Sequence, residues 1–365
     1  MLNPKPNLTG STRININGNI GWLLGANLPW IKCGGDFGGN TWGAYGIGSA
    51  NPPPPPPPQP LSSQALRTTF QAMQAAGVNV ARWFMFFDGR AGITYDANGS
   101  PTGLDGDVFR DIDAAAAIAN TYSIRIIFVL ISFEWMFNKL APDDITGGRS
   151  MILRDPTKQD ELISNVFVPV FERYADNDSV LAYDIANEPE WGLTGGNLPA
   201  PGQIEGRTFD SVPLDLFTSF ARKVAAAAQQ YAPGQYVTLG SARAKWVGNW
   251  QGLGLDFYQF HYYPQTENPK TLLEVLADLL PGLDRPIWLG EFPANVAGSP
   301  DYMRATLEDA FTAVLPSGAG LAGGAAWSMR DVGDTFGAAN TDVLRAFFDA
   351  HAPDINSGVT PPGGP

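Results

Sequence analysis

The feature that most constrains the fold of this chain is a repeated alternation of short apolar segments with longer amphipathic ones. Eight short apolar segments have the composition of β-strands, and they lie at residues 19–25, 78–86, 124–131, 180–186, 236–239, 257–262, 286–289 and 324–327. Amphipathic segments typical of helices lie at residues 61–76, 106–122, 159–174, 213–231, 270–280, 302–314 and 341–350. Strands that are apolar on both faces indicate a parallel sheet with both faces buried.

Eight repeats of a strand and its following connection predict an α/β fold, a closed (β/α)₈ TIM barrel. An open doubly wound sheet is the alternative, but the sequence has no G-x-x-x-x-G-K-[ST] motif. Its one G-x-G-x-x-G match, at residues 318–323, lies before a predicted strand, whereas the phosphate turn of such a sheet follows a strand and opens a helix. We expect one catalytic domain over residues 1–350, with a proline-rich loop at 51–60 inside it, and a flexible tail at 351–365. The active site of such a barrel lies where the strands end and the βα loops begin.

The charge balance narrows the range of partners. The chain has 23 basic and 36 acidic residues, so its formal net charge is −13, which argues against nucleic acid and against an anionic membrane surface. One cysteine and two histidines leave no zinc-site spacing, and we expect no metal and no cofactor. A neutral partner and a monomeric protein are the expectations. The compartment is left open: the protein is secreted if Met1 is not the natural start, and otherwise cytoplasmic.

Two glutamates carry the strongest chemical signal. Glu188 lies two residues past the fourth predicted strand, and Glu291 lies two residues past the seventh. Because strands of a parallel barrel end on the same side, the two carboxyl groups are expected to face each other across its mouth. Cleavage of a glycosidic bond requires such a pair, one group to protonate the leaving oxygen and one to attack or to activate water.

With these residues the chain resembles the clan A glycoside hydrolases, and it is most similar to glycoside hydrolase family 5, the cellulase and mannanase family. The resemblance spans residues 19–350 and rests on the Asn187-Glu188-Pro189 motif and on Glu291. It implies a retaining β-glycan hydrolase that acts on a carbohydrate such as β-glucan or β-mannan by double displacement. Glu188 would be the acid/base and Glu291 the nucleophile, with the carboxyl groups about 5–5.5 Å apart.

The resemblance also implies roles for five further positions. Arg82 resembles the strand-two arginine beside the nucleophile, and Asn187 the asparagine that binds the sugar 2-hydroxyl. In the His-x-Tyr segment that ends strand six, Tyr263 would hold the nucleophile and His261 would lie near the acid/base. Trp327 resembles the strand-eight tryptophan on which the −1 sugar stacks.

Aromatic residues at strand ends predict a sugar-binding surface, because the C–H faces of sugars pack on aromatic rings. The candidates for substrate contacts are Trp30, Asp36, Trp135, Glu190, Trp191, Trp246 and Trp327. The segment after strand three lacks the histidine that many family members carry there, so another clan A family is an alternative. A non-catalytic carbohydrate-binding barrel and a Schiff-base lyase or aldolase that uses Lys245 are the other two alternatives.

Overall fold

The structure, a computed structural model, describes residues 5–16, 18–38, 62–141, 144–204, 206–267, 270–279, 282–295, 300–315 and 317–355. The proline-rich loop predicted at 51–60 lies outside the described residues, as does the predicted tail from residue 356 onward. Over the described part of the chain, no helix is long and apolar enough to cross a membrane.

Eight parallel strands close into a barrel, which confirms the predicted fold class. The strands are β1 (Leu23–Asn27), β2 (Val80–Phe84), β3 (Arg125–Ser132), β4 (Val180–Asn187), β5 (Tyr236–Ser241), β6 (Tyr258–His261), β7 (Ile287–Pro293) and β8 (Gly323–Trp327). Each strand pairs in parallel with its neighbours in sequence, and β8 pairs with β1. Every residue of β1 to β7 is buried, as strands covered on both faces require.

Helices pack outside the barrel and bury their apolar faces against it. They are α1 (Ser62–Ala75), α2 (Val108–Thr121), α3 (Ser150–Arg154), α4 (Pro156–Leu162), α5 (Val168–Tyr174), α6 (Leu214–Tyr231), α7 (Pro264–Glu267), α8 (Leu272–Leu276), α9 (Pro300–Thr312) and α10 (Thr341–His351). Several begin at polar caps that the sequence shows. Asp155 accepts two backbone N–H groups ahead of Pro156, and Asn340 caps α10 in the same way.

Two predicted elements differ in the structure. Residues 19–25 do not form one strand, because Asn19–Gly21 pairs back on Ile14–Ile16 as a hairpin and the barrel strand begins only at Leu23. The helix predicted over 159–174 is interrupted by a π-helical turn at Ile163–Phe167. Pro169 lies just after that turn and has no N–H to donate to the regular helical ladder, so the hydrogen-bond pattern shifts there.

The N-terminal segment packs against the amino ends of the barrel strands. A buried cluster joins side chains at the amino ends of the strands, such as Leu23 and Val80, with Leu8 and Ile14. The start of the predicted tail is also attached to the barrel: Trp22 N–H donates to the Asp354 carbonyl, and Ile355 is buried. Residues 351–355 are therefore not the free tail that was expected, and the carboxyl ends of the strands form the open face.

Candidate active site

The carboxyl ends of the strands surround a pocket of about 580 Å³. Both predicted catalytic glutamates line it, together with Asn187, Tyr263 and Trp327. Eight of its nineteen lining residues are aromatic, which suits a ligand with apolar C–H faces and a few hydroxyl groups.

Glu188 and Glu291 lie opposite each other in this pocket. Glu291 belongs to β7 itself, because that strand continues to Pro293, past the predicted end at residue 289. Glu188 follows β4 with a left-handed φ of 47°, and its backbone N–H donates to the Gly240 carbonyl at 2.7 Å. One carboxylate oxygen of each glutamate and one ring nitrogen of His261 all lie within 4.8 Å of one another. That spacing suits a direct displacement more than an inverting reaction, which needs room for a water between the carboxyl groups.

The surroundings of Glu188 favour its protonated form. Burial raises the pKa of Glu188 to about 7, although the Trp191 hydrogen bond and the charge of Arg82 both oppose this shift. Trp191 Nε1 donates to Glu188 Oε2 at 2.7 Å, and His261 Nδ1 lies 2.6 Å from Glu188 Oε1. A carboxyl group with such a pKa can hold a proton near neutrality and still release it.

Glu291 has more partners that stabilise its ionised form. Arg82 donates to its Oε1 at 2.6 Å, and the Tyr263 hydroxyl donates to its Oε2 at 2.7 Å. Burial raises the pKa of Glu291, while His261, Arg82 and Tyr263 lower it and the nearby Glu188 raises it. Because Arg82 pairs directly with Glu291 and not with Glu188, its charge favours the ionised form of Glu291 more than that of Glu188.

Arg82 is fully buried and fixes this arrangement from the barrel interior. Its guanidinium also donates to Asp184 at 2.9 Å, to the Asn187 side-chain oxygen at 2.9 Å and to the Asn27 side-chain oxygen at 3.1 Å. A buried arginine is tolerated when its donors are paired in this way. Arg82 offers one positive charge to two carboxyl groups, those of Asp184 and Glu291. The interior of the site therefore carries a net negative charge when both carboxyl groups are ionised.

Three of the predicted tryptophans line the pocket. Trp30, Trp191 and Trp327 are all part of its wall, and the rings of Trp30 and Trp327 meet edge to face at 6.3 Å. Asp334 accepts a hydrogen bond from Trp327 Nε1 at 2.6 Å and holds that ring in place. Their positions agree with the expectation of aromatic platforms for sugars.

Asp36 and Trp135 do not reach the pocket, which corrects the expectation that they contact substrate. Trp135 is completely buried, and its Nε1 donates to the Phe86 carbonyl at 2.8 Å. Asp36 accepts from the backbone N–H groups of two residues in its own loop and from Trp83 Nε1 at 2.8 Å. Both residues pack the base of the loops and do not face the cleft.

Glu190 and Trp246 are likewise structural neighbours of the site and not part of its surface. Glu190 is buried and accepts from Ser241 Oγ at 2.5 Å and from Trp250 Nε1 at 2.9 Å. Burial raises the pKa of Glu190 to about 7. Trp246 is also buried, and its ring meets that of Trp191 edge to face at 5.5 Å. Sequence position after a strand does not reveal which way such a side chain points.

Several pocket residues were not predicted. Phe84, Phe87 and Phe133 line the wall and lie at or just beyond strand ends, so the rule applied to the tryptophans would have found them. Glu134 also lines the pocket, and burial raises its pKa to about 8. Phe336 comes from the loop after β8 and packs on the Tyr263 ring at 4.9 Å, a contact for which the sequence offers no signal.

The buried polar residues Asn27, Asp184 and Gln259 were also missed. Asp184 and Gln259 are polar residues within predicted apolar strands, the same signal that identified Arg82, whereas Asn27 lies past residue 25, where the first strand was predicted to end. Among the described residues, Glu188, His261 and Glu291 form the one group with enough ligand atoms for a metal ion, and each of the three already has a direct partner within the protein. Lys245 is exposed and lies over the Trp246 ring, outside the pocket, so the Schiff-base alternative is not favoured.

No protein-family model matches the chain. The mannan endo-1,4-β-mannosidase of Mytilus edulis is 23% identical over 354 residues, which cover 88% of this chain and 87% of that protein. Among solved structures, the β-1,4-D-mannanase of Cryptopygus antarcticus matches with a TM-score of 0.74 at 18% identity and covers 98% of this chain and 97% of its own. The β-mannanase of Mytilus edulis matches with a TM-score of 0.72 at 21% identity, over 98% of this chain and 99% of its own.

The closed barrel, the paired carboxyl groups at its open end and the sequence similarity together define the class: the protein is a glycoside hydrolase that acts on β-glycans. More particularly, it resembles the clan A glycoside hydrolases of family 5, as the sequence motifs implied.

Proposed function

We propose that the protein is a retaining endo-β-1,4-mannanase. The observation that carries this proposal is the pair Glu188 and Glu291, held within 4.8 Å around His261 at the open end of the barrel. The substrate follows from the relatives. Both matching curated proteins are named mannan endo-1,4-β-mannosidase, from Mytilus edulis and from Cryptopygus antarcticus, and mannanases recur among the structural neighbours.

The first chemical step forms a glycosyl-enzyme. A carboxylate oxygen of Glu291 attacks the anomeric carbon, and the bond from that carbon to the glycosidic oxygen breaks. Glu188 gives its proton to the departing oxygen, so the leaving sugar departs as a neutral alcohol. The pKa of Glu188, raised to about 7 by burial, keeps this proton available at neutral pH.

The second step returns the enzyme to its starting state. Glu188, now ionised, takes a proton from a water molecule as the water oxygen attacks the anomeric carbon. The bond between the anomeric carbon and Glu291 breaks, and the product keeps the configuration of the substrate. Each glutamate therefore ends with the proton count with which it began.

The neighbouring side chains support both steps. Arg82 and Tyr263 hold Glu291 ionised and orient its carboxylate, through contacts of 2.6 Å and 2.7 Å. Asn187 faces the pocket with its amide oxygen held by Arg82, which leaves its amide nitrogen to bind a sugar hydroxyl as well as Ser132. Trp327 offers its ring as the platform for the −1 sugar.

The proposed partner is the mannan chain alone, bound by a monomer. The net charge of −13 disfavours nucleic acid and anionic membranes. A neutral polysaccharide is indifferent to that charge.

Hydrolysis of soluble β-mannan, carboxymethyl cellulose and xylan, followed by reducing-end release, tests the substrate. We expect release from mannan, with a rapid fall in viscosity that indicates internal cleavage. Glu188→Gln and Glu291→Gln should lose about 10²-fold or more, whereas Glu172→Gln, an exposed glutamate on α5, should keep wild-type activity. Activity on cellulose and not on mannan would overturn the substrate, and activity that survives in Glu291→Gln would overturn the mechanism.

Rescue by azide distinguishes the acid/base from the nucleophile. Azide that rescues Glu188→Ala should give a glycosyl azide of retained configuration, and azide that rescues Glu291→Ala should give one of inverted configuration. A retained product from Glu291→Ala would exclude it as the nucleophile.

A further inference from the structure

One ring nitrogen of His261 contacts the acid/base, and the other is buried without a hydrogen-bond partner among the described residues. His261 is completely buried, and its Nδ1 lies 2.6 Å from Glu188 Oε1. Its Nε2 is also buried and has no hydrogen-bond partner among the described residues. A neutral imidazole carries its single proton on one nitrogen or on the other, and the two tautomers have opposite effects on Glu188.

Gln259 lies two residues earlier on β6, so its side chain is on the same face of the strand as His261. Its Nε2 donates to Asp184 Oδ2 at 2.5 Å. Asp184 also accepts from Arg82 Nε and from the Gly240 N–H, so both of its carboxyl oxygens act as acceptors. The amide orientation of Gln259 is therefore fixed by chemistry: its NH₂ group must face Asp184, and its carbonyl oxygen must face away.

That carbonyl oxygen, Gln259 Oε1, is buried without a partner among the described residues, as His261 Nε2 is. Both atoms face the same point above Gly290. A Cβ placed on Gly290 would lie 2.3 Å from Gln259 Oε1 and 3.1 Å from His261 Nε2. Glycine at this position keeps the space between an acceptor and a possible donor open, whereas any other residue would place its side chain there.

We propose that Gln259 is a positioning residue that fixes the tautomer of His261. In this arrangement His261 carries its proton on Nε2 and directs it towards Gln259 Oε1, either directly or through one water molecule. His261 Nδ1 is then an acceptor, and it accepts a hydrogen bond from protonated Glu188 Oε1. This inference rests on the proposed acid/base role of Glu188 and adds the residue that keeps Glu188 in its acid form.

The charges around His261 are consistent with a neutral ring. The groups that face it are Glu188, Glu291 with its Oε2 at 3.5 Å from Nδ1, Arg82 and Asp184. Burial lowers the pKa of His261 to about 4, so one nitrogen is unprotonated at neutral pH. When that nitrogen is Nδ1, its lone pair faces Glu188 and disfavours the ionised carboxylate, which stabilises the acid.

The tautomer can be measured directly by ¹⁵N NMR of the imidazole rings after selective labelling of histidine. The chain has two histidines, so a His351→Gln variant, which changes the partly buried histidine of α10, assigns the spectrum. We expect the wild-type His261 to show an unprotonated Nδ1 and a protonated Nε2. A wild-type spectrum with a protonated Nδ1 would overturn the proposal, whether or not the protein acts on mannan, since this measurement needs no substrate.

Two variants test the part assigned to Gln259. Gln259→Met is unbranched like glutamine but has no comparable acceptor, and we expect the proton of His261 to move to Nδ1. Gln259→Glu still presents an oxygen towards His261 when its carboxyl group holds a proton on the oxygen that faces Asp184, and we expect it to keep the proton of His261 on Nε2. An unchanged tautomer in Gln259→Met would show that Gln259 does not set it.

The kinetic consequence distinguishes this role from simple support of the fold. In Gln259→Met, a protonated Nδ1 would donate to ionised Glu188 and lower its pKa, so the basic limb of the kcat/KM profile should move to lower pH by about one unit. In Gln259→Glu the basic limb of the kcat/KM profile should stay at its wild-type pH. A loss of activity at all pH values with an unmoved basic limb would contradict the proposal.

Discussion

The hydrogen bond from Tyr263 to Glu291 permits a quantitative prediction. In Tyr263→Phe the 2.7 Å donor to Glu291 Oε2 is lost, while the ring and its contact with Phe336 are kept. A hydrogen bond to a charged group contributes about 1.5–3 kcal/mol. Because this bond favours the ionised form, its loss raises the pKa of Glu291, and one pKa unit corresponds to about 1.4 kcal/mol. The acid limb of activity should therefore move to higher pH by about 1–2 units.

The assay is kcat/KM for soluble mannan as a function of pH, over the range in which the protein stays folded. The direction is fixed by the requirement for an ionised nucleophile: below the pKa of Glu291 activity is lost, and the variant should lose it at a higher pH. Tyr262→Phe is the matched control, since the Tyr262 hydroxyl faces the Lys270 carbonyl and not the pocket. An acid limb that stays in place in Tyr263→Phe, or that moves equally in Tyr262→Phe, would refute the reasoning.

Three further variants test other parts of the site. Trp191→Phe removes the N–H donor to Glu188 Oε2, which raises the pKa of Glu188, so the basic limb of kcat/KM should move to higher pH; a shift to lower pH would contradict this. Trp135→Phe removes one of two donors to the Phe86 carbonyl, which keeps the Gly89 N–H, and it leaves a small cavity. Thermal unfolding should therefore show a loss of about 1–3 kcal/mol with KM for mannan unchanged, and a raised KM would show that Trp135 belongs to the binding surface. Glu190→Gln should lower the melting temperature at pH 8. In one orientation the new NH₂ group faces the Ala242 N–H, and in the other it faces Trp250 Nε1–H, so two donors oppose each other either way. Unchanged stability would refute that account.

The sequence was most informative where residue type and burial conflict. Arg82 stands in an apolar strand, and a charged residue there needs partners, which made a position inside the site predictable. The same conflict exists at Asp184 and Gln259, which a consistent application of the rule would have included. Asn27 escaped the rule because the first strand was predicted to end at residue 25. Glu291 was predicted as a candidate at a strand end, although β7 extends further than its apolar run indicates.

Orientation was what the sequence could not provide. Trp135 and Trp191 both follow barrel strands, yet one is buried beneath the loops and the other lines the pocket. Their local sequences give no sign of this difference, because it depends on the short 3₁₀ turns that follow β3 and β4. Phe336 meets Tyr263 only because the loop after β8 folds over the pocket, a contact between segments far apart in the chain.

The distribution of the site around the barrel has a consequence for dissecting the protein. A cut between β4 and β5 would leave Arg82 and Glu188 in one half and His261, Tyr263 and Glu291 in the other. Neither fragment would contain both an acid and a nucleophile, and the guanidinium of the first half would lack its 2.6 Å contact with the second. Hydrolysis by a mixture of the two fragments would therefore report that the halves had joined in the native register, which makes this barrel suitable as a split-enzyme sensor of its own assembly.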